Sequence, residues 1–272
     1  MDHSSHVLAP RPLDLPALET GAAQDSGREF WRQHAWWPLL AFVFVFGAVE
    51  VFSLDRVFAT EWFFNVHSGE WLGAGAGDWW ARGLLHTGGG WLVRAIGALA
   101  LVTWALSFRV ERLRDWRRTA GFVVLAMALS TGIVGILKAV TNVDCPWDLI
   151  GFGGHNPYVA LFADRPDALP HAKCFPGAHA SSGFALVCFY FVLRDRWARL
   201  ARLALAGAIL VGVAFSIGQE ARGAHFFSHD LTSAALVWFA QLGLYAWMLG
   251  RARERVTKPV TVNVSGGSRS PR

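Results

Sequence analysis

Six segments of mainly apolar residues alternate with polar connections along the chain. They cover residues 37–54, 90–108, 119–140, 180–193, 201–218 and 231–249. Most approach the roughly 20 residues that an α-helix needs to cross a hydrocarbon core of about 30 Å, and we expect the shorter fourth helix to continue to either side. None shows the apolar and polar alternation of a membrane β-strand. The pattern predicts an all-α, polytopic membrane bundle of six transmembrane helices.

Arginine residues are concentrated in every second connection. The clusters lie at residues 28–32, 109–118, 194–202 and 251–258. Cytoplasmic loops of membrane proteins are enriched in Lys and Arg, so both termini should be cytoplasmic. The connections at 55–89, 141–179 and 219–230 should then face the outer side, which in a bacterium is the periplasm. We therefore expect a multi-pass protein of the bacterial inner membrane.

The composition agrees with this organisation. Hydrophobic residues make up 53% of the chain and charged residues only 17%, whereas soluble domains are about 25% charged. The net charge of +5 could suggest a nucleic-acid partner, but membrane topology accounts for the arginines and we expect no nucleic acid. We predict a disordered cytoplasmic tail over 1–35, a membrane domain over 36–250 and a cytoplasmic tail over 251–272.

Residues suited to acid–base or nucleophilic chemistry are concentrated in three segments at the outer ends of predicted helices. Lys138 ends the third apolar segment, and His179 stands just before the fourth. The segment before the sixth contains Arg222, His225, His229 and Asp230. Packing the helices into one bundle would bring these three segments together.

The residue types in these segments favour a phosphate pocket. Lys and Arg bind anionic oxygens, and the small residues Gly177 and Ala178 would leave backbone N–H groups open to an anion at a helix N-terminus. Histidine can act as a nucleophile or as a general acid near neutral pH. A carboxylate beside a histidine fixes its tautomer and stabilises its charged form.

Together the segments resemble the three-part signature of the type 2 phosphatidic acid phosphatase superfamily. That pattern reads K-x6-R-P, then P-S-G-H, then S-R-x5-H-x3-D. The corresponding parts here are Lys138 with Cys145-Pro146, residues 176–179, and residues 222–230. The resemblance implies a six-span membrane phosphatase that acts on a lipid phosphate or pyrophosphate through a phosphohistidine, without a metal or other cofactor.

The resemblance also assigns roles to single residues. It implies that His225 is the nucleophile, that His179 is the general acid, and that Asp230 orients His225, with His229 in support. It implies that the phosphate is held by Lys138, Arg222 and the N–H groups near Gly177 and Ala178. The expected partners are the lipid substrate and the bilayer. A phosphotransferase would use the same residues, and a non-enzymatic membrane protein with this fold is the alternative of another class.

The motifs depart from the pattern at several positions. Cys145 replaces the arginine of the first motif. In the second motif, Gly177 and Ala178 replace the serine and glycine of the pattern. In the third, Gln219 holds the arginine position; residues 219 and 222 share a helix face, so Arg222 could replace it. Arg94 is either a snorkelling residue or a replacement phosphate ligand.

The histidine and aspartate of the third motif are also offset. Asp230 follows His225 by five residues rather than four, and His229 occupies the fourth position. His229 is the alternative nucleophile, but position 233, four residues further on, is a serine and not a carboxylate. We therefore prefer His225 as the nucleophile.

Two further pairs lie in the connection over 141–179. Cys145 and Cys174 could form a disulfide in an oxidising compartment, or remain free thiols. Asp144 and Asp148 could bind a cation, although two carboxylates in one loop are weak support for a site. We expect no metal.

Overall fold

The computed structural model describes residues 27–250, and most of them are helical. The helices are α1 (Gly27–Val51), α2 (Leu54–Phe58), α3 (Gly75–Leu106), α4 (Glu111–Val140), α5 (Ala178–Leu193), α6 (Ala198–Glu220) and α7 (Phe227–Gly250). An antiparallel hairpin of β1 (Phe64–Asn65) and β2 (Glu70–Trp71) lies between α2 and α3. Most of the two predicted tails, at 1–26 and 251–272, lies outside the described residues.

The predicted all-α, polytopic architecture is confirmed. Among the described residues, the five helices α1, α3, α4, α6 and α7 are long and apolar enough to cross a membrane. The helix α5 is shorter, so the number six stays a prediction. Large apolar side chains such as Leu99, Leu203 and Leu210 are exposed by 68–69%, as is expected for positions that face lipid.

The N-terminal boundary of the ordered region differs from the prediction. The disordered tail was expected to reach residue 35, but the chain is helical from Gly27. The Phe30 ring stacks on His34 with centroids 4.5 Å apart, and a hydrogen bond of 2.5 Å joins His34 to the Tyr190 hydroxyl. The stack within α1 and the hydrogen bond to α5 order a segment whose own residues show no apolar run.

The core of the bundle lies between α4, α5, α6 and α7. It includes Phe122, Phe191 and Phe215. Buried Gln241 on α7 donates hydrogen bonds to the Ser130 hydroxyl on α4 at 3.0 Å and to a backbone carbonyl of α5 at 2.8 Å. Polar side chains of this kind hold membrane helices together, and here they fix the relative positions of the three helices that carry the predicted site.

Asp55 on α2 caps the N-terminus of α7. One carboxylate oxygen accepts the backbone N–H of Ser228 at 2.8 Å, and the other accepts its hydroxyl at 2.5 Å. Burial raises the pKa of Asp55 to about 6. A side-chain cap stabilises a helix by about 1 kcal/mol, and this one holds the helical turn that contains His229 and Asp230.

Candidate active site

The three segments singled out in the sequence meet at one end of the bundle. Lys138, near the end of α4, donates a hydrogen bond to the Cys174 carbonyl at 3.2 Å. The N–H of Gly177, just before α5, donates to the carbonyl of His229 on α7 at 3.1 Å. His179 lies in the first turn of α5. The expectation that helix packing brings the segments together therefore agrees with the structure.

His225 and Asp230 form a buried pair at the centre of this cluster. Their Nδ1 and Oδ1 atoms are 2.7 Å apart, and the residues are only 5% and 2% exposed. Because the carboxylate accepts, Nδ1 carries the proton and Nε2 keeps its lone pair. Burial, reinforced by the charges of Lys138 and Arg222, lowers the pKa of His225 well below its ordinary value. The imidazole is therefore neutral and nucleophilic at neutral pH.

The five-residue spacing of the third motif has a local explanation. His225 lies in the turn before α7, and Phe226 has an extended backbone with φ −89° and ψ 163°. Asp230 lies in the first turn of the helix. Helical periodicity therefore does not govern the spacing between the two residues, and the offset of one residue does not prevent the His–Asp pair.

His229 has a different environment from His225. Its ring makes edge-to-face contacts with Phe175 and Phe226, with centroid distances of 5.3 and 5.6 Å. It is buried, and its ring centroid is 6.2 Å from that of His225. Among the described residues, no carboxylate is hydrogen-bonded to it. The packing favours a supporting role for His229.

The absence of a side chain at Gly177 leaves space for the His225–Asp230 pair. A Cβ at this position would lie 1.9 Å from Asp230 Oδ1 and 2.8 Å from His225 Nδ1. The backbone φ of −73° suits any residue, so the requirement is for space and not for conformation. The absence of a side chain at Gly177, where the superfamily pattern has serine, therefore follows from the position of Asp230.

The N–H groups near Gly177 and Ala178 were expected to bind phosphate, but the structure gives the N–H of Gly177 a different acceptor. That N–H already donates to the carbonyl of His229, so it is not available to an anion. Ala178 is the first residue of α5, and N–H groups in a first helical turn have no intrahelical partner. Its proposed contact with phosphate stays a prediction.

His179 is held in one tautomer. Its Nε2 lies 3.1 Å from the Leu85 carbonyl oxygen on α3, which can only accept, so Nε2 carries the proton. The ring stacks on Phe215 with centroids 4.4 Å apart. The nitrogen left for proton exchange is Nδ1.

Arg222 and Arg94 add positive charge near the histidines. Arg222 Nη1 donates to Gln219 Oε1 at 3.3 Å. The Arg94 guanidinium lies over the Trp91 ring at 4.4 Å, and a Cβ on Gly90 would be 3.4 Å from Arg94 Nη2 and 3.7 Å from His179 Cε1. Arg94 was expected to be either a snorkelling residue or a replacement phosphate ligand. Its position near His179 favours the phosphate ligand.

A disulfide joins Cys145 to Cys174, so that alternative for the two cysteines is confirmed. It connects the first motif to the segment that leads into the second. The Cys174 carbonyl is the acceptor for Lys138, and the Cys174 N–H donates to the Val143 carbonyl at 3.0 Å. The cysteine that replaces the arginine of the first motif therefore helps to position the lysine of the same motif.

Asp144 and Asp148 make contacts within the loop that joins α4 to α5. Asp144 is ion-paired with Arg165 and accepts a hydrogen bond from Asn156 at 2.8 Å. Asp148 accepts the N–H of Cys145 at 3.3 Å. Within residues 27–250, no group of three or more His, Cys, Asp or Glu residues is arranged to hold a metal. The alternative cation site on this loop therefore gains no support from the contacts of its carboxylates.

Sequence reasoning did not single out His86 or Asp55, and it noted Gln219 only as a departure. His86 lies on α3, with its ring centroid 4.4 Å from that of His179. Its nearest sequence signal is the Thr-Gly-Gly-Gly run that follows it. Nothing in that run indicates which helix end His86 will approach.

Comparison with known proteins gives a family match over the part of the chain that contains most of these residues. A sequence model described as the PAP2 superfamily matches residues 119–253, which include Lys138, His179 and His225. No curated protein and no solved structure matches the chain. The match and the apolar helices define a membrane protein of phosphatase type. The chain belongs to the PAP2 superfamily.

Proposed function

We propose that this protein is an integral membrane phosphatase that hydrolyses a lipid phosphate or pyrophosphate through a phosphohistidine intermediate, without a metal. The observation that carries the proposal is the buried His225–Asp230 pair with its 2.7 Å hydrogen bond. The charges of Lys138 and Arg222 act on His225 and would attract an anionic substrate. A half-buried histidine, His179, lies in the same cluster.

In the first step, His225 Nε2 attacks phosphorus. The P–N bond forms as the bond between phosphorus and the leaving oxygen breaks, and protonated His179 gives its Nδ1 proton to that oxygen. Lys138 and Arg222 offset the charge that develops on the phosphoryl oxygens. Asp230 accepts the Nδ1–H of His225 and stabilises the positive charge that the ring acquires.

In the second step, water cleaves the phosphohistidine. His179, now neutral, takes a proton from the water as its oxygen attacks phosphorus, and the P–N bond breaks. Inorganic phosphate leaves, and both histidines return to their starting states. A lipid hydroxyl in place of water would give phosphotransfer with the same residues.

We place the active site at the periplasmic face of a bacterial inner membrane, with both termini in the cytoplasm. The arginine-rich connections support this orientation. Alkaline phosphatase fused after residue 160 should be active, and the same fusion after residue 112 should be inactive. The opposite pattern would place the site in the cytoplasm and reject the orientation.

The function is tested by phosphate release from a panel of lipids. We expect the purified protein in detergent to release phosphate from at least one of phosphatidic acid, phosphatidylglycerol phosphate, undecaprenyl pyrophosphate and lipid A. Release should persist in EDTA and should be inhibited by vanadate, which can adopt the five-coordinate geometry of the phosphoryl transition state.

His225→Ala, purified in parallel, is the control for contaminating phosphatases. Activity that EDTA removes and a divalent ion restores would contradict the metal-independent mechanism. Labelled phosphate that moves to a second lipid rather than to water would indicate a transferase. No release or transfer above the His225→Ala background would favour the non-enzymatic alternative.

A further inference from the structure

Helix α3 places a third histidine in the cluster, upstream of the region that matches the superfamily. His86 is half-buried, and its ring centroid is 4.4 Å from that of His179. The superfamily match begins only at residue 119. His86 is therefore a feature of this chain that the shared motifs do not include.

A chain of hydrogen bonds fixes the tautomer of His86. Arg222 Nη1 donates to Gln219 Oε1 at 3.3 Å, and Gln219 Nε2 lies 3.1 Å from His86 Nδ1. Arginine has no acceptor, so the amide oxygen of Gln219 faces Arg222 and the amide NH2 faces His86. Nδ1 of His86 therefore accepts, and its proton is on Nε2. Gln219 is only 3% exposed, which keeps this arrangement in place.

The surroundings of His86 suit an anion. Arg82, Arg94 and Arg222 all lie within electrostatic range of His86. Arg82 is ion-paired with Asp78 at 3.1 Å, whereas Arg94 and Arg222 have no ion pair among the described residues. Among the described residues, Nε2 of His86 has no hydrogen-bond partner. A polarised N–H beside two guanidinium groups is a donor suited to a phosphate oxygen.

We propose that His86 binds an oxygen of the substrate phosphate through Nε2–H, and that Gln219, at the position of the superfamily arginine, is its positioning residue. His86 and Arg94 on α3 would then act beside Arg222 in place of the two arginines that the motifs lack at positions 145 and 219. This inference rests on the proposed function for the identity of the substrate, but its test uses inorganic phosphate and needs no turnover.

The affinity for inorganic phosphate should depend on His86. We expect isothermal titration of the detergent-solubilised full chain to give a Kd that is about 10- to 100-fold weaker in His86→Ala, as for loss of a hydrogen bond to a charged group. His86→Gln retains an N–H donor and should recover part of this loss. His67→Ala, at an exposed histidine outside the site, should bind phosphate as the wild type does.

The positioning role of Gln219 is tested by a double-mutant cycle. Gln219→Leu should weaken phosphate binding more when His86 is present than in His86→Ala, where only the hydrogen bond of Gln219 to Arg222 is still lost. If the two substitutions weaken phosphate affinity additively in the double variant, the positioning role of Gln219 is rejected. If folded His86→Ala binds phosphate with wild-type affinity, the binding role of His86 is overturned.

Failure of this inference is distinguishable from failure of the proposed function. His86-dependent phosphate binding without turnover of any lipid phosphate would reject only the phosphatase activity. If the protein turns over a lipid phosphate but its affinity for inorganic phosphate is unchanged in His86→Ala, only this inference would be rejected. A wild-type protein that does not bind inorganic phosphate would overturn the inference as well.

Discussion

His225→Ala should reduce phosphate release by about four orders of magnitude or more, whereas His229→Ala should retain measurable activity. Removal of a nucleophile from a catalytic unit often costs as much as removal of the whole unit. His225 has the hydrogen-bonded carboxylate, and its lone pair is on Nε2. His229 is packed against two phenylalanine rings, so its loss should lower activity only through altered packing around the His225–Asp230 pair.

The two histidines can be distinguished directly by trapping the phosphoenzyme. Labelled substrate and rapid acid-free quenching should leave the phosphoryl group on a peptide that contains His225, and His225→Ala should not be labelled. Helical circular dichroism and gel filtration in detergent would show that both variants fold. A label on His229, or an active His225→Ala, would mean that our alignment of the third motif is wrong.

Gly177→Ser, which restores the serine of the superfamily pattern, should inactivate this protein. The new Cβ would lie 1.9 Å from Asp230 Oδ1, so either the carboxylate or the backbone must move. Displacing the carboxylate would remove the group that orients His225. Loss of the corresponding aspartate in serine proteases lowers kcat about 10⁴-fold, and we expect a loss on the order of 10³-fold here.

Comparison with other variants identifies the cause of that loss. Gly207→Ser on α6 is the control, because a Cβ there meets no atom within 4 Å. Gly177→Ser should also be no worse than Asp230→Ala, and the double variant should resemble Asp230→Ala, since both changes act on the same pair. Full activity in Gly177→Ser would show that the carboxylate is not needed at its observed position.

The membrane architecture could be predicted because each helix carries its own signal. The predicted segments at 119–140 and 201–218 lie within α4 and α6 and end close to their limits. An apolar run of the length of a bilayer predicts a helix from local information alone. The residues 27–35 lack such a run, and their order depends on contacts with α5 that the segment itself does not reveal.

The candidate site was predictable in its residue types but not in its hydrogen bonds. The order and spacing of Lys138, His179 and His225 indicated a shared pocket, and the structure brings their segments together. The use of the Gly177 N–H by the His229 carbonyl could not be read from sequence, because it joins residues more than 50 positions apart. The approach of His86 to the pocket depends in the same way on the packing of α3.

The bridge between Cys145 and Cys174 has a consequence for biogenesis. Disulfides form and persist in oxidising compartments and are rare in the cytosol, so in the proposed orientation both thiols would stay free until the loop over 141–179 reached the periplasm. The carbonyl that anchors Lys138 belongs to one of these cysteines. In that orientation, the bridge that joins the two motifs would be completed only after translocation of this loop.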